Sequence, residues 1–173
     1  MEEIFLDEIR LVAEEIYPRT FVRKKVEKIL EKVDFLLDYY PEADENCVKA
    51  AAWLQFIVHP RFGYKGDRYH VACARKASSI LKDMGVKSKD ITKIADAIRA
   101  HRAKGVPYPE RIEAKILFSA NYMAGTEIKT LFGKVVEDME EGWIKKKFIL
   151  PEAGGRFEDD KIDRLKEKYL SDN

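Results

Sequence analysis

Apolar residues recur at helical spacing along almost the whole chain. Phe5, Ile9, Val12 and Ile16 form one stripe, closed by Pro18, and Val22, Val26, Ile29, Val33, Leu36 and Tyr40 form a longer one, closed by Pro41. Asp44 is placed to cap a third helix, since its short side chain can accept from the free N–H groups of a first turn. The run from Ala50 to Val58 is apolar nearly all round, which predicts the central, buried helix. His59-Pro60 ends it, and the segment Arg61 to Asp67, with Gly63 and Gly66, reads as a loop.

A fourth stripe runs through Cys73, Ala77, Ile80 and Met84, with Gly85 as its C-terminal cap. Ser88 is expected to cap the fifth helix, whose stripe is Ile91, Ile94 and Ile98 and whose end is marked by Gly105 and Pro107. Pro109 suits the first turn of a sixth helix carrying Ile112, Ile116 and Met123. A seventh carries Ile128, Phe132, Val135 and Met139. Pro151 and Gly154-Gly155 then break the chain, and Phe157 to Leu170 forms a charged, weakly amphipathic helix. No strand pattern persists, so the expected class is all-α: a compact irregular bundle of about seven or eight helices. It divides into an all-helical domain, 1–150, and a charged helical appendage, 151–173.

Composition narrows the classes of function. The 173 residues suffice for one domain with a real core, 46% of them being hydrophobic. Charged residues reach 36%, against about 25% in an ordinary soluble protein, a thermophile-like surface. With 32 basic and 31 acidic side chains the chain is not generally polybasic, so nucleic acid is a disfavoured partner. The balance is uneven along the chain, however: residues 61–104 carry twelve basic and four acidic side chains, net +8. Such a segment is either a solvated helix face or a site for an anion such as phosphate. Two cysteines, Cys47 and Cys73, exclude a disulfide framework, and no apolar run approaches the roughly 18 residues of a membrane span. The acidic, amphipathic start MEEIFLDEIR is unlike a signal peptide, and a cytoplasmic protein is expected.

Position singles out two histidines. His70 precedes Cys73 by three residues and Ala77 by seven, and His101 follows Ile98 by three and Ile94 by seven, so both fall on inward stripes. They are either satisfied core histidines or part of a polar cleft with Arg102, Arg99, Arg68 and Lys65. Zinc would need four N or S ligands, and no pair among His59, His70, His101, Cys47 and Cys73 has a short-loop spacing. There is no Walker phosphate loop and no Rossmann fingerprint, and Lys145 to Lys147 beside Trp143 reads as a solvated helix end.

Several segments, in order, resemble one family. Val48-Lys49-Ala50-Ala51-Ala52-Trp53-Leu54-Gln55-Phe56-Ile57-Val58 is similar to the signature helix of the HD-domain superfamily of metal-dependent phosphohydrolases, which there ends in a His-Asp pair. Tyr69 to Gly85 resembles the family's next helix, and Asp96 to Arg102 the following one, which commonly carries a histidine. Glu113 to Gly125 resembles the helix that ends in the last metal-binding aspartate, and the likeness spans about residues 20–135. The resemblance implies an HD-type bundle whose metal is held by a histidine, the His-Asp pair and a final aspartate. Here Arg23 or a neighbour stands at the first position, Gln55 and Phe56 at the pair, and Asn121 at the last. By this reading all four ligands are replaced, so neither a metal nor another cofactor is expected. Gln55, Phe56 and Asn121 are expected to fill the former cavity, with room for a hydrogen bond between the two amides.

The resemblance therefore implies a phosphohydrolase-like module without metal-dependent catalysis, binding an anionic small molecule such as a nucleotide or other phosphorylated ligand. His70, His101, Arg102, Arg68 and Lys65 are its candidate ligand-binding residues. Two alternatives stay open: an active phosphohydrolase with a shifted site around His59, Asp67, His70 and His101, or an interaction protein whose C-terminal helix docks on a partner or a second copy.

Overall fold

The structure is a computed structural model, which describes residues 3–16, 21–58, 69–101 and 109–131, with side chains for 5–16, 22–58, 69–101 and 109–124. Among the described residues there are six helices and no strand: α1 (Glu3–Ile16), α2 (Phe21–Leu37), α3 (Glu45–Leu54), α4 (Tyr69–Asp83), α5 (Ser88–Ala100) and α6 (Ile112–Leu131).

The short α3 is the axis of the bundle and touches all five other helices, while α4 packs along α5, and α6 against α2 and α5. Its composition explains this place. Ala50, Ala51 and Ala52 have no exposed surface and project so little that neighbours approach on every side. Larger residues of the surrounding helices close the core: Ile9, Val26, Ile29, Val33, Leu36, Leu81, Ile94, Ile98, Ile116 and Leu117 are fully buried. Burying each such side chain contributes about 1.5–3 kcal/mol relative to leaving it in water.

The ends of the helices confirm some expectations and revise others. Asp44 caps α3, its Oδ1 accepting from the Cys47 N–H at 3.1 Å. Gly85 ends α4 in the left-handed region, φ +76°; Val86 N–H bonds the Leu81 carbonyl and Gly85 N–H that of Lys82, each at 3.0 Å. This pairing is the Schellman motif, with Val86 and Leu81 both buried beside it. By contrast α3 stops at Leu54, not Val58. The Gln55 side chain folds back and its Nε2 donates to the Ala52 carbonyl at 3.1 Å, the acceptor that the Phe56 N–H would need to continue the helix.

Ser88 is the first residue of α5 and not its cap; Lys87, extended and without a side-chain cap bond, takes that place directly after the Gly85 turn. Pro109 lies ahead of α6, which opens with the Lys115 N–H bonded to the Arg111 carbonyl at 3.0 Å. The expected sixth and seventh helices run together, because α6 continues through Gly125 and Ile128 to Leu131. A glycine inside a helix costs only about 1 kcal/mol relative to alanine, too little to force a break. The rest of the seventh helix, the loop Arg61 to Asp67, and the boundary between 150 and 151 with its charged appendage lie outside the described residues.

Candidate functional site

The early end of α3 creates a polar point in an otherwise apolar centre. Gln55, its C-cap, has no exposed surface, and such an amide must find partners within the protein. Its Nε2 donates to Ala52, and its Oε1 accepts from Asn121 Nδ2 of α6 at 2.8 Å. Asn121 Nδ2 also donates to the Leu117 carbonyl one turn back, at 2.9 Å, so both its hydrogens are used. The bond expected between the two amides is thus present, and it ties the end of α3 to the middle of α6.

Phe56, the next residue, leaves the helical path and lies half-buried between two cationic or ionisable groups. The Lys25 ammonium of α2 stands 4.5 Å from the ring centroid, on its negative face. His101 meets the ring edge-on, centroids 6.1 Å apart and planes at 79°. His101 is the C-cap of α5 and only 4% exposed; its Nδ1–H donates to the Ile98 carbonyl, which makes Nε2 the basic nitrogen of the neutral ring.

Gln55, Phe56, His101 and Asn121 therefore come together, while Arg23 does not join them. Its side chain is half exposed, 3.6 Å from Glu14 of α1 and 3.0 Å from Glu27. Lys25, two positions on and so about 200° round the helix, is an α2 residue that does face Phe56. Lys25 carried a signal in the sequence: it falls three residues after Val22 and four before Ile29, on the apolar stripe. Lys32 repeats that position one heptad later and is only 3% exposed. His70 is buried, 2% exposed, in the first turn of α4. Arg102, Arg68 and Lys65, and with them His59 and Asp67, lie outside the described residues.

The chemistry of this donor set does not suit a metal ion. Residues 55, 56 and 121 offer two neutral carboxamides already bonded to each other and a phenyl ring that cannot ligate, with a lysine ammonium over that ring. Among the described residues, the metal-type ligand atoms of Asp44, Cys47 and Asp90 do lie within 4.8 Å of one another at the other end of α3. There the cationic partner is Lys93, whose Nζ is 3.0 Å from Asp44 and 3.8 Å from the buried Glu113 of α6. Burial alone would raise the Asp44 carboxyl, but bonds from Lys93 and from the Cys47 N–H outweigh it and hold it below its ordinary value. The hydrogen bond with Asp44 holds Lys93 above its own. Burial, and then the Asp44 carboxylate, push the Cys47 thiol far up, so it stays protonated and is a poor ligand. This cluster is structural: it joins α3, α5 and α6.

Comparison with known proteins agrees with this architecture. The sequence matches no protein family and no curated protein. Its structure is similar to the crystal structure, at 1.45 Å resolution, of a predicted HD superfamily hydrolase from an uncultured Thermotogales bacterium. The match has a TM-score of 0.66 over 96% of this chain and 92% of the other, at 20% identity. At that identity the shared property is the fold: an all-α bundle of the HD-domain type. Among the described residues, no helix is long and apolar enough to cross a membrane.

Proposed function

We propose that this chain is an HD-type domain without metal-dependent phosphohydrolysis, acting as a binding or regulatory module for a phosphorylated small molecule such as a nucleotide. The observation that carries the reading is the Gln55–Asn121 bond, which commits to each other the side chains that stand where the family resemblance puts metal ligands. A bound metal would supply hydroxide near neutral pH and polarise the phosphoryl group. Losing a contribution of that kind costs many powers of ten in rate, since about 1.4 kcal/mol of barrier is a factor of ten. What supports a retained phosphate affinity is the basic segment 61–104. Two buried cysteines that form no disulfide fit a cytoplasmic setting.

Metal content decides the matter. Untagged protein is exposed in turn to manganese, iron, nickel and zinc, desalted, and analysed by plasma mass spectrometry. The expected stoichiometry is far below one per chain, with no turnover of a phosphomonoester and nucleotide panel. One metal per chain, with hydrolysis lost on His70→Ala, would overturn the reading in favour of a shifted centre around His70 and His101.

A further inference from the structure

The last turn of α5 and the residues that lead into α6 border a cavity of about 300 Å³, at the lower end of the size range of small-molecule pockets. Asp96, Arg99 and Ala100 line it from α5, Glu110 and Arg111 from the residues ahead of α6, and Ala114 from its first turn. The two alanines, 4% and 2% exposed, form an apolar floor and leave the room. Gln55, Phe56 and Asn121 are not among the lining residues, so this cleft is separate from the polar point at the end of α3.

One carboxylate organises its charge. Asp96 accepts from Arg99 Nη1 through Oδ1 at 3.1 Å and from Arg111 Nε through Oδ2 at 3.3 Å. Both of its oxygens are engaged, and guanidinium groups from two elements are held at one wall. A guanidinium has five N–H donors, and each arginine spends one nitrogen on Asp96. The remaining donors of two neighbouring forks suit the oxygens of a phosphate, which arginine grips in the plane of its fork. Glu110, exposed at the rim, is an acceptor for a hydroxyl or amine on the same molecule.

We propose that this cleft holds the phosphate group of a small phosphorylated molecule between Arg99 and Arg111, with Asp96 as the positioning residue. The inference rests on the reading that the chain binds a phosphorylated ligand, and it gives that ligand a place. His70 and His101 are not among the residues that line this cleft, and Arg102, Arg68 and Lys65 lie outside the described residues.

Isothermal titration calorimetry of the full chain at low ionic strength, with inorganic phosphate and with glycerol 3-phosphate, tests it. The expected result is saturable binding of both, weakened about tenfold by Arg99→Gln or Arg111→Gln, the worth of one charge-assisted bond. Lys89→Gln, an exposed change in the same basic segment, should leave it unaltered. Asp96→Asn removes one negative charge from the cleft yet should weaken binding, because the two forks lose their common anchor. A rise in affinity in Asp96→Asn, or an equal loss in Lys89→Gln, would mean bulk electrostatics and overturn the site. Binding that survives both arginine substitutions would overturn the site and leave the broader reading standing. No binding of either probe by the wild-type chain would overturn the proposal, while metal content decides separately whether catalysis is lost. Circular dichroism melts of each variant show that it is folded.

Discussion

Replacing Asn121 by alanine strands the Gln55 carboxamide oxygen in a fully buried position. An unsatisfied buried acceptor costs about 1–3 kcal/mol, which denaturant unfolding should register in full. Replacing both residues by leucine removes the polar atoms together, so the double variant should lose less than the sum of the single ones. A double-mutant cycle reads that difference as the coupling between α3 and α6. At Gly85 the backbone itself sets the constraint: a Cβ would meet nothing within 4 Å, yet φ is +76°. Gly85→Ala should therefore destabilise by about 1–2 kcal/mol through conformation alone, and Gly85→Asn by less, since asparagine tolerates the left-handed region.

The N-terminus of α3 responds to pH because Asp44 and Lys93 each hold the other charged. Asp44 lies below its ordinary value of 3.8, so its contribution is complete above that pH and is lost as pH falls through the folded-state value. Lys93 lies above its ordinary 10.5, so its contribution is complete below that pH and is lost as pH rises through the folded-state value. Asp44→Asn keeps a capping oxygen and removes the charge. It should cost about 1–3 kcal/mol near pH 7, between the range of exposed and buried pairs, and flatten both limbs of a plot of stability against pH. Thermal melts from pH 3 to 11 check both limbs.

Because α3 touches every other described helix, its alanines govern how closely the bundle can close. Ala51→Leu should cost about 1–3 kcal/mol or more by overpacking, whereas Ser79→Leu on the exposed side of α4 should change the melting temperature little. The all-helical class, the central place of α3, the Asp44 cap and the Gly85 turn were legible in the sequence because each is a local or periodic property. The inward placement of His70 and His101 followed from the same 3.6-residue period. The length of α3 was not legible, since nothing in an apolar run marks Leu54 as its end, where the Gln55 side chain turns back onto the Ala52 carbonyl. The choice of Lys25 over Arg23 was legible in part, since Lys25 falls on the apolar stripe of α2, but its place over the Phe56 ring depends on the register of α2 against α3. The Asp96 clamp joins side chains fifteen positions apart, and no periodicity within one helix reports a pair of that kind.

Cys47 gives the molecule an internal chemical reporter. Its thiol is fully buried beside the cap of α3 and is kept protonated, so a disulfide reagent, which consumes thiolate, reaches it only after the first turn of that helix has opened. Labelling should be slow in native buffer and immediate for both cysteines in denaturant. Asp44→Ala, which removes the cap and the ion pair together, should speed the reaction at Cys47 more than at Cys73 of α4. The ratio of the two rates would then measure, without any added probe, how far the end of α3 opens apart from the rest of the bundle.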